Sequence, residues 1–189
     1  MNRVVVIGAG PVGLCLALRL AQRDIPSVVV EALGADNFLE QVPRAGTNHP
    51  ATLELFDAIG LYEKLEPRGI VAPLFHYWDR HENRRIAEFD HAHLKGDTKF
   101  PYVLQCERIK IVEEALKLAQ MHPLIEVRLS TTFTSFEQRA DGVVAQVTNP
   151  AARSRPSRAP TWSAPRARAA SCARTSTSSS RASRIRTAR

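Results

Sequence analysis

Three glycines near the N-terminus restrict this chain more than anything else in it. The stretch "VVVIGAGPVG" places Gly8, Gly10 and Gly13 in the spacing G-x-G-x-x-G, directly after a run of β-branched residues. Arg3–Gly8 reads as a short strand buried on both faces. In "PVGLCLALRLAQRD", Leu14, Leu18 and Ala21 recur at helical spacing, with Ala17 on the same flank. Ile25–Ala32, "IPSVVVEA", reads as a second buried strand. Arg3–Glu31 is therefore one β-α-β unit, with a right-handed crossover expected. Gly8 permits the tight turn out of the strand. Gly10 has no side chain, so a pyrophosphate can approach the backbone, and Gly13 lets the helix pack closely on the sheet. With Ala9, Pro11 and Val12 between them, they open onto a helix N-terminus whose free N–H groups and positive dipole end face the phosphates. Glu31 lies 18 residues past Gly13 at the end of the second strand, placed to accept hydrogen bonds from ribose hydroxyls. The unit predicts dinucleotide binding and leaves FAD or NAD open. The rival reading is that the glycines serve only a tight turn.

The remaining pattern continues a mixed α/β plan. "HPATLELFDAIGLYEKL" reads as a helix from about Pro50, broken at Gly60. "PLFHYWD" and "RRIAEF" read as antiparallel strands. "CERIKIVEEALKLAQMH" predicts an amphipathic helix with Ile109, Val112, Leu116 and Ala119 on one face. "IEVRLSTTFTSFEQRADGVVAQV" then predicts a β-meander turning at "DG". Tyr77 and Trp78, as strand aromatics, are expected in the core.

Charge has to be read in two parts. The net charge of +7 suggests nucleic-acid binding, but ten of the 26 basic and none of the 19 acidic residues lie in 151–189. Residues 1–150 alone carry a net charge of −3, so the basic average is no argument that this part binds nucleic acid. Cys15, Cys106 and Cys172 have no paired spacing, which argues against a disulfide framework or a zinc site and fits a reducing cytoplasm. The N-terminal apolar run is short and broken by glycines, unlike a signal peptide, and no stretch is long enough to cross a membrane. His91 and His93, in "DHAH", have no partner ligand at proper spacing and read as solvated. Cys106 has a flanking acid rather than a base and reads as a packed thiol.

The first 149 residues resemble single-component FAD-dependent aromatic hydroxylases, the para-hydroxybenzoate hydroxylase-like and hydroxyphenylpropionate hydroxylase-like flavoprotein monooxygenases. "VVVIGAGPVGLCLALRLAQRDIPSVVVEA" carries the resemblance, and "PRAGTNHPATLELFDAIGLYEKL", "VLQCERIKIVEEAL" and "TSFEQRADGVVAQV" extend it in order. It implies a Rossmann-like FAD/NAD(P)-binding fold over residues 1–150, with part of an antiparallel substrate sheet. It also implies that FAD is reduced by NADH or NADPH and forms a C4a-hydroperoxide with O2, whose distal oxygen attacks a phenolic ring. Arg44 matches a family arginine that meets the FAD, and Gln105 a glutamine that contacts the flavin's ribityl or phosphate region. Alternatively, Arg44 is a surface arginine and Gln105 a helix cap.

The last 39 residues fit none of this. Arg, Ser, Ala, Thr and Pro make up 36 of them, which predicts a disordered basic tail. The family's second motif, a Gly-Ala/Cys-Asp-Gly stretch, and its later Gly-Asp motif do not appear, so the chain as written is expected to be inactive. An out-of-frame reading accounts for the tail. With the frame moved back one nucleotide, "TWSAP" permits Y-L-V-G-A, Arg166 permits Glu but not Asp at the motif's acid, and Cys172–Ala188 permits V-R-K-D-I-D-I-E-F-E-G-F-T-Y-P-D-R. A selected Arg/Ser tail for nucleic acid is the rival.

Overall fold

The computed structural model describes residues 3–35, 46–139, 142–149, 164–165 and 169–171. Its centre is a parallel sheet. Strand β1 (Val4–Ile7) leads through helix α1 (Pro11–Ala21) to β2 (Ser27–Val30), and the two strands pair from Val4↔Ser27 to Ile7↔Val30. The valine runs suit a slot covered on both sides. Val6 and Val29 join Leu14, Ala17, Leu18 and Ala21 in the core, while Val28 and Val30 are buried on the opposite face.

Two short antiparallel elements and two helices follow. β3 (Thr47–Asn48) and β4 (Ile70–Ala72) flank β7 (Val103–Gln105), giving the order β3-β7-β4. Between them run α2 (Pro50–Ala58) and α3 (Tyr62–Leu65), parted where Gly60 takes φ +70°. β5 (Leu74–Asp79) and β6 (Arg84–Asp90) form a separate two-stranded hairpin with a register shift at Tyr77/Trp78. Helix α4 (Arg108–Met121) packs on α1 and on β8 (Ile125–Arg128). β9 (Thr132–Arg139) and β10 (Gly142–Thr148) pair antiparallel, and Val143, Ala145 and Val147 of β10 face Val5, Val28 and Val30 across a narrow apolar groove. The order of layers is thus helices, parallel sheet, antiparallel ribbon.

Three expectations are corrected here. β8 does not belong to the meander: it pairs in parallel with β2, from Ser27↔Ile125 to Val30↔Arg128. The buried face of α4 is Ile111, Val112, Ala115, Leu116 and Ala119, with Ile109 in the first turn only half-buried. Tyr77 and Trp78 are not core residues, being 54% and 58% exposed. Two further short strands lie beyond residue 150. β11 (Ala164–Pro165) pairs antiparallel with β10, and β12 (Ala169–Ser171) pairs in parallel with β1, completing the order β12-β1-β2-β8. An open strand edge recruits backbone N–H and C=O groups whatever their side chains, which explains how such small residues come to pair.

Candidate cofactor site

The glycine turn sits where β1 gives way to α1. Gly8 takes φ +96°, a left-handed conformation that favours glycine, and its N–H donates to the Val30 carbonyl at 2.7 Å. Gly10 caps α1 with extended backbone, and a β-carbon built on it would meet nothing within 4 Å. A β-carbon on Gly13 would lie 2.1 Å from the Gly8 carbonyl oxygen, so only glycine permits this approach of helix to turn. Pro11 occupies the first helical position, where the N–H it lacks has no intrahelical acceptor anyway. The N–H groups of Val12 and Gly13, also in the first turn, have no acceptor within the helix, and the Val12 side chain is exposed.

Glu31 is joined to this turn directly. Its Oε2 accepts from the buried Ala9 N–H at 2.9 Å, and its Oε1 accepts from the Leu33 N–H at 2.9 Å. Each carboxylate oxygen keeps a further lone pair. The backbone behind Glu31 is braced: its N–H donates to the Arg128 carbonyl, and its carbonyl accepts from the Thr131 N–H. Ser130, in a left-handed conformation at φ +51°, lets the chain turn there. Sequence reasoning missed this β8–β9 brace, because nothing in "RLST" marks it.

Gln105 ends β7, in a different sheet, and no hydrogen bond joins it to the glycine turn among the described residues. It does not cap α4, whose N-cap is Glu107. Its Oε1 accepts from the Thr47 hydroxyl at 2.9 Å, which leaves the amide N–H groups as its donors. Arg44 lies outside the described residues. Gly46, two residues on, has its carbonyl bonded by the Cys106 N–H at 2.9 Å, and a β-carbon on it would lie 2.2 Å from the Cys106 carbonyl oxygen. The chain just past Arg44 is therefore pinned beside Gln105. Gly46 and Thr47 hold this arrangement, and their only signal in the sequence was a Gly-Thr pair following a candidate arginine.

The remaining titratable candidates are the buried thiols of Cys15 and Cys106 and the His91 ring. The Cys106 thiol is buried and burial pushes its pKa up, as for Cys15, pushed up to about 11. Both behave as packed thiols. His91 contacts the Pro73 carbonyl through Nδ1, and no group of three or more potential metal ligands occurs among the described residues. No helix among them is long and apolar enough to cross a membrane.

Comparison with known proteins agrees with this geometry. A family described as "FAD binding domain" matches residues 1–158. The para-nitrophenol 4-monooxygenase of Pseudomonas sp. (strain WBC-3) is 31% identical over 156 residues, covering 82% of this chain and 38% of the relative. A 3-(3-hydroxy-phenyl)propionate/3-hydroxycinnamic acid hydroxylase of Mycobacterium sp. (strain JLS) is 30% identical over 147 residues, covering 76% and 24%. The crystal structure of the p-nitrophenol 4-monooxygenase PnpA from Pseudomonas putida DLL-E4 superposes with a TM-score of 0.73 at 30% identity, covering 80% of this chain and 37% of that one. The chain thus spans well under half the length of the relatives it matches.

Proposed function

Because the chain belongs to the FAD-binding domain family over residues 1–158, we propose that it forms the flavin-binding part of an NAD(P)H-dependent monooxygenase that hydroxylates a phenolic ring with O2. The observation that carries the cofactor half of this reading is the Glu31 carboxylate held at the Ala9 N–H, beside a Gly10 that faces open space. A diphosphate fits against Gly10, where no side chain intervenes, and takes the N–H groups of Val12 and Gly13 at the positive end of α1. Glu31 accepts from the ribose hydroxyls of the adenosine half. Gln105, beside the bonded Gly46, serves the cofactor further along, and Arg44 serves it there by the family resemblance alone. Gln105 donates there, since Thr47 already occupies its oxygen.

The reaction itself rests on the relatives. Two of those named above act, by their names, on nitrophenol and on hydroxyphenylpropionate. Bound FAD supplies the redox chemistry, while the protein orients the ring and keeps water from the reacting centre. The substrate pocket and the site of the reductant belong to the whole enzyme, of whose relatives this chain spans 38% or less.

Titration of the purified chain with FAD, ADP and NAD tests the cofactor assignment. FAD or ADP should bind more tightly than NAD. Micromolar NAD affinity with no response to FAD or ADP would overturn it. NAD(P)H oxidation coupled to phenol hydroxylation by a chain of the relatives' full length tests the reaction.

A further inference from the structure

Three side chains stand in one row across the sheet β3-β7-β4. Thr47 pairs with Gln105 on one side, and Ile70 pairs with it on the other. Directly opposed residues of antiparallel strands share a face, so the pleat puts all three side chains together. Thr47 is exposed, Gln105 half-buried and Ile70 71% exposed. The row has a firm base. On the opposite face Asn48 is buried, and its Nδ2 donates to the Leu104 carbonyl at 3.0 Å. At the end of the row the Cys106 N–H holds the Gly46 carbonyl.

Within the row, Thr47 alone offers Gln105 a polar group. Its hydroxyl lies 2.9 Å from Oε1. An amide oxygen carries no proton, so the hydroxyl donates and the oxygen accepts. Ile70 has no polar side-chain atom to compete. Among the described residues, no acceptor meets the Nε2 N–H groups. The amide is thus held at its oxygen end, with both donors unclaimed.

We infer that Thr47 is a positioning residue for the cofactor: its hydroxyl fixes the Gln105 amide with Nε2 outward, so that this point presents donors to an acceptor oxygen of FAD. The inference rests on the reading that Gln105 faces FAD. A glutamine amide left free turns over and offers its oxygen as readily as its N–H groups. A phosphate oxygen or a flavin carbonyl only accepts, so the overturned amide would set oxygen against oxygen. Holding the oxygen before the cofactor arrives removes that ordering cost from binding.

Side-chain nitrogen-15 relaxation of the unliganded chain tests the pin with no cofactor present. The Gln105 amide should be held on the picosecond-to-nanosecond scale in the unsubstituted chain and in Thr47→Ser, and freed in Thr47→Val. An amide equally mobile in all three overturns the inference. FAD titration of the same chains tests the consequence. Thr47→Val should weaken FAD binding about three- to tenfold, the range of one neutral hydrogen bond, and Thr47→Ser should restore it. In a Gln105→Leu background, Thr47→Val should change FAD affinity no further, because the group it positions is gone. ADP separates the two kinds of acceptor. A loss for FAD with ADP binding intact puts the acceptor on the flavin half, and an equal loss for both puts it on the diphosphate. Unchanged FAD affinity in a folded Thr47→Val chain overturns the inference. So does an undiminished loss in the Gln105→Leu background, which would make Thr47 itself the contact. A pinned amide in a chain that takes no FAD upholds the pin and sinks the cofactor reading, so the two failures stay apart.

Discussion

A β-carbon at Gly10 would meet nothing within 4 Å, whereas one at Gly13 would lie 2.1 Å from a backbone oxygen. The two substitutions should therefore separate binding from folding. Gly10→Val is expected to leave the melting temperature unchanged and to abolish FAD binding, because its side chain occupies the pyrophosphate position. Gly13→Ala is expected to destabilise the fold by about 3 kcal/mol, the upper end for overpacking, because the obstacle is backbone and cannot swing aside. Calorimetry with a parallel FAD titration reads both, and a Gly10→Val protein that melts normally and binds FAD normally would falsify the placement of the diphosphate. Ser27 makes a third case. It is 1% exposed in β2, and its hydroxyl has no hydrogen-bond partner. Ser27→Ala should stabilise the protein by about 1 kcal/mol, the order of the penalty for a buried unpaired hydroxyl. A loss of stability in denaturant titration would show that the hydroxyl has a partner after all. Residue by residue, the turn at Gly8 and the close helix approach at Gly13 were legible because the motif's spacing encodes local backbone geometry. Gly46 was not, since its constraint comes from Cys106, sixty residues away in sequence.

Among the elements, α4 is tied to the turn after α3 by charge. Arg68, in the 3-10 turn Glu66–Arg68, bonds Glu113 and Glu114, and Lys117 bonds the same two carboxylates one turn further on. Lys117 and Arg68 hold the Glu113 carboxyl below the usual carboxylate range. A lowered folded-state pKa contributes stability above the unfolded-state pKa, and that contribution is lost as pH falls through the folded one. Arg68→Met should therefore cost at most about 1 kcal/mol at neutral pH, as suits a partly exposed pair. The difference from the unsubstituted protein should shrink towards zero on acidification below the carboxylate range. Urea titrations at a series of pH values check this, and a deficit that persists undiminished in acid would assign it to packing. The elements themselves were mostly legible: β1, α1 and β2 follow from local apolar runs, and α2 ends at Gly60 as its sequence implies. The placement of β8 was not legible, because a strand's period of two is the same in a parallel sheet as in a meander. Nor was the exposure of Tyr77 and Trp78, since aromatic content reports what a strand prefers to pack against and not whether a partner is present.

For the molecule as a whole, the basic average was misleading until the chain was divided at residue 150. The likeness to other proteins then proved to end near the same point. Pairing of β11 and β12 escaped sequence reading because it uses backbone edges and carries no side-chain signal. One earlier detail reaches across the whole domain. The carboxylate of Glu31 holds the Ala9 N–H, so the glycine turn is tied to the far end of β2 with no cofactor required. Loosening that turn means parting β1 from β2, and with them the sheet on which α1 and α4 rest. The Ala9 amide proton is therefore a gauge of global unfolding, although it sits at the lip of a ligand site where amides usually open by local fraying. Its exchange in native-state measurements should follow the slowest amides of Val6 and Val29, and slow further with added FAD by the factor that binding to the folded state alone dictates. Exchange at the pace of a surface loop would mean that the turn is made by the cofactor and not before it.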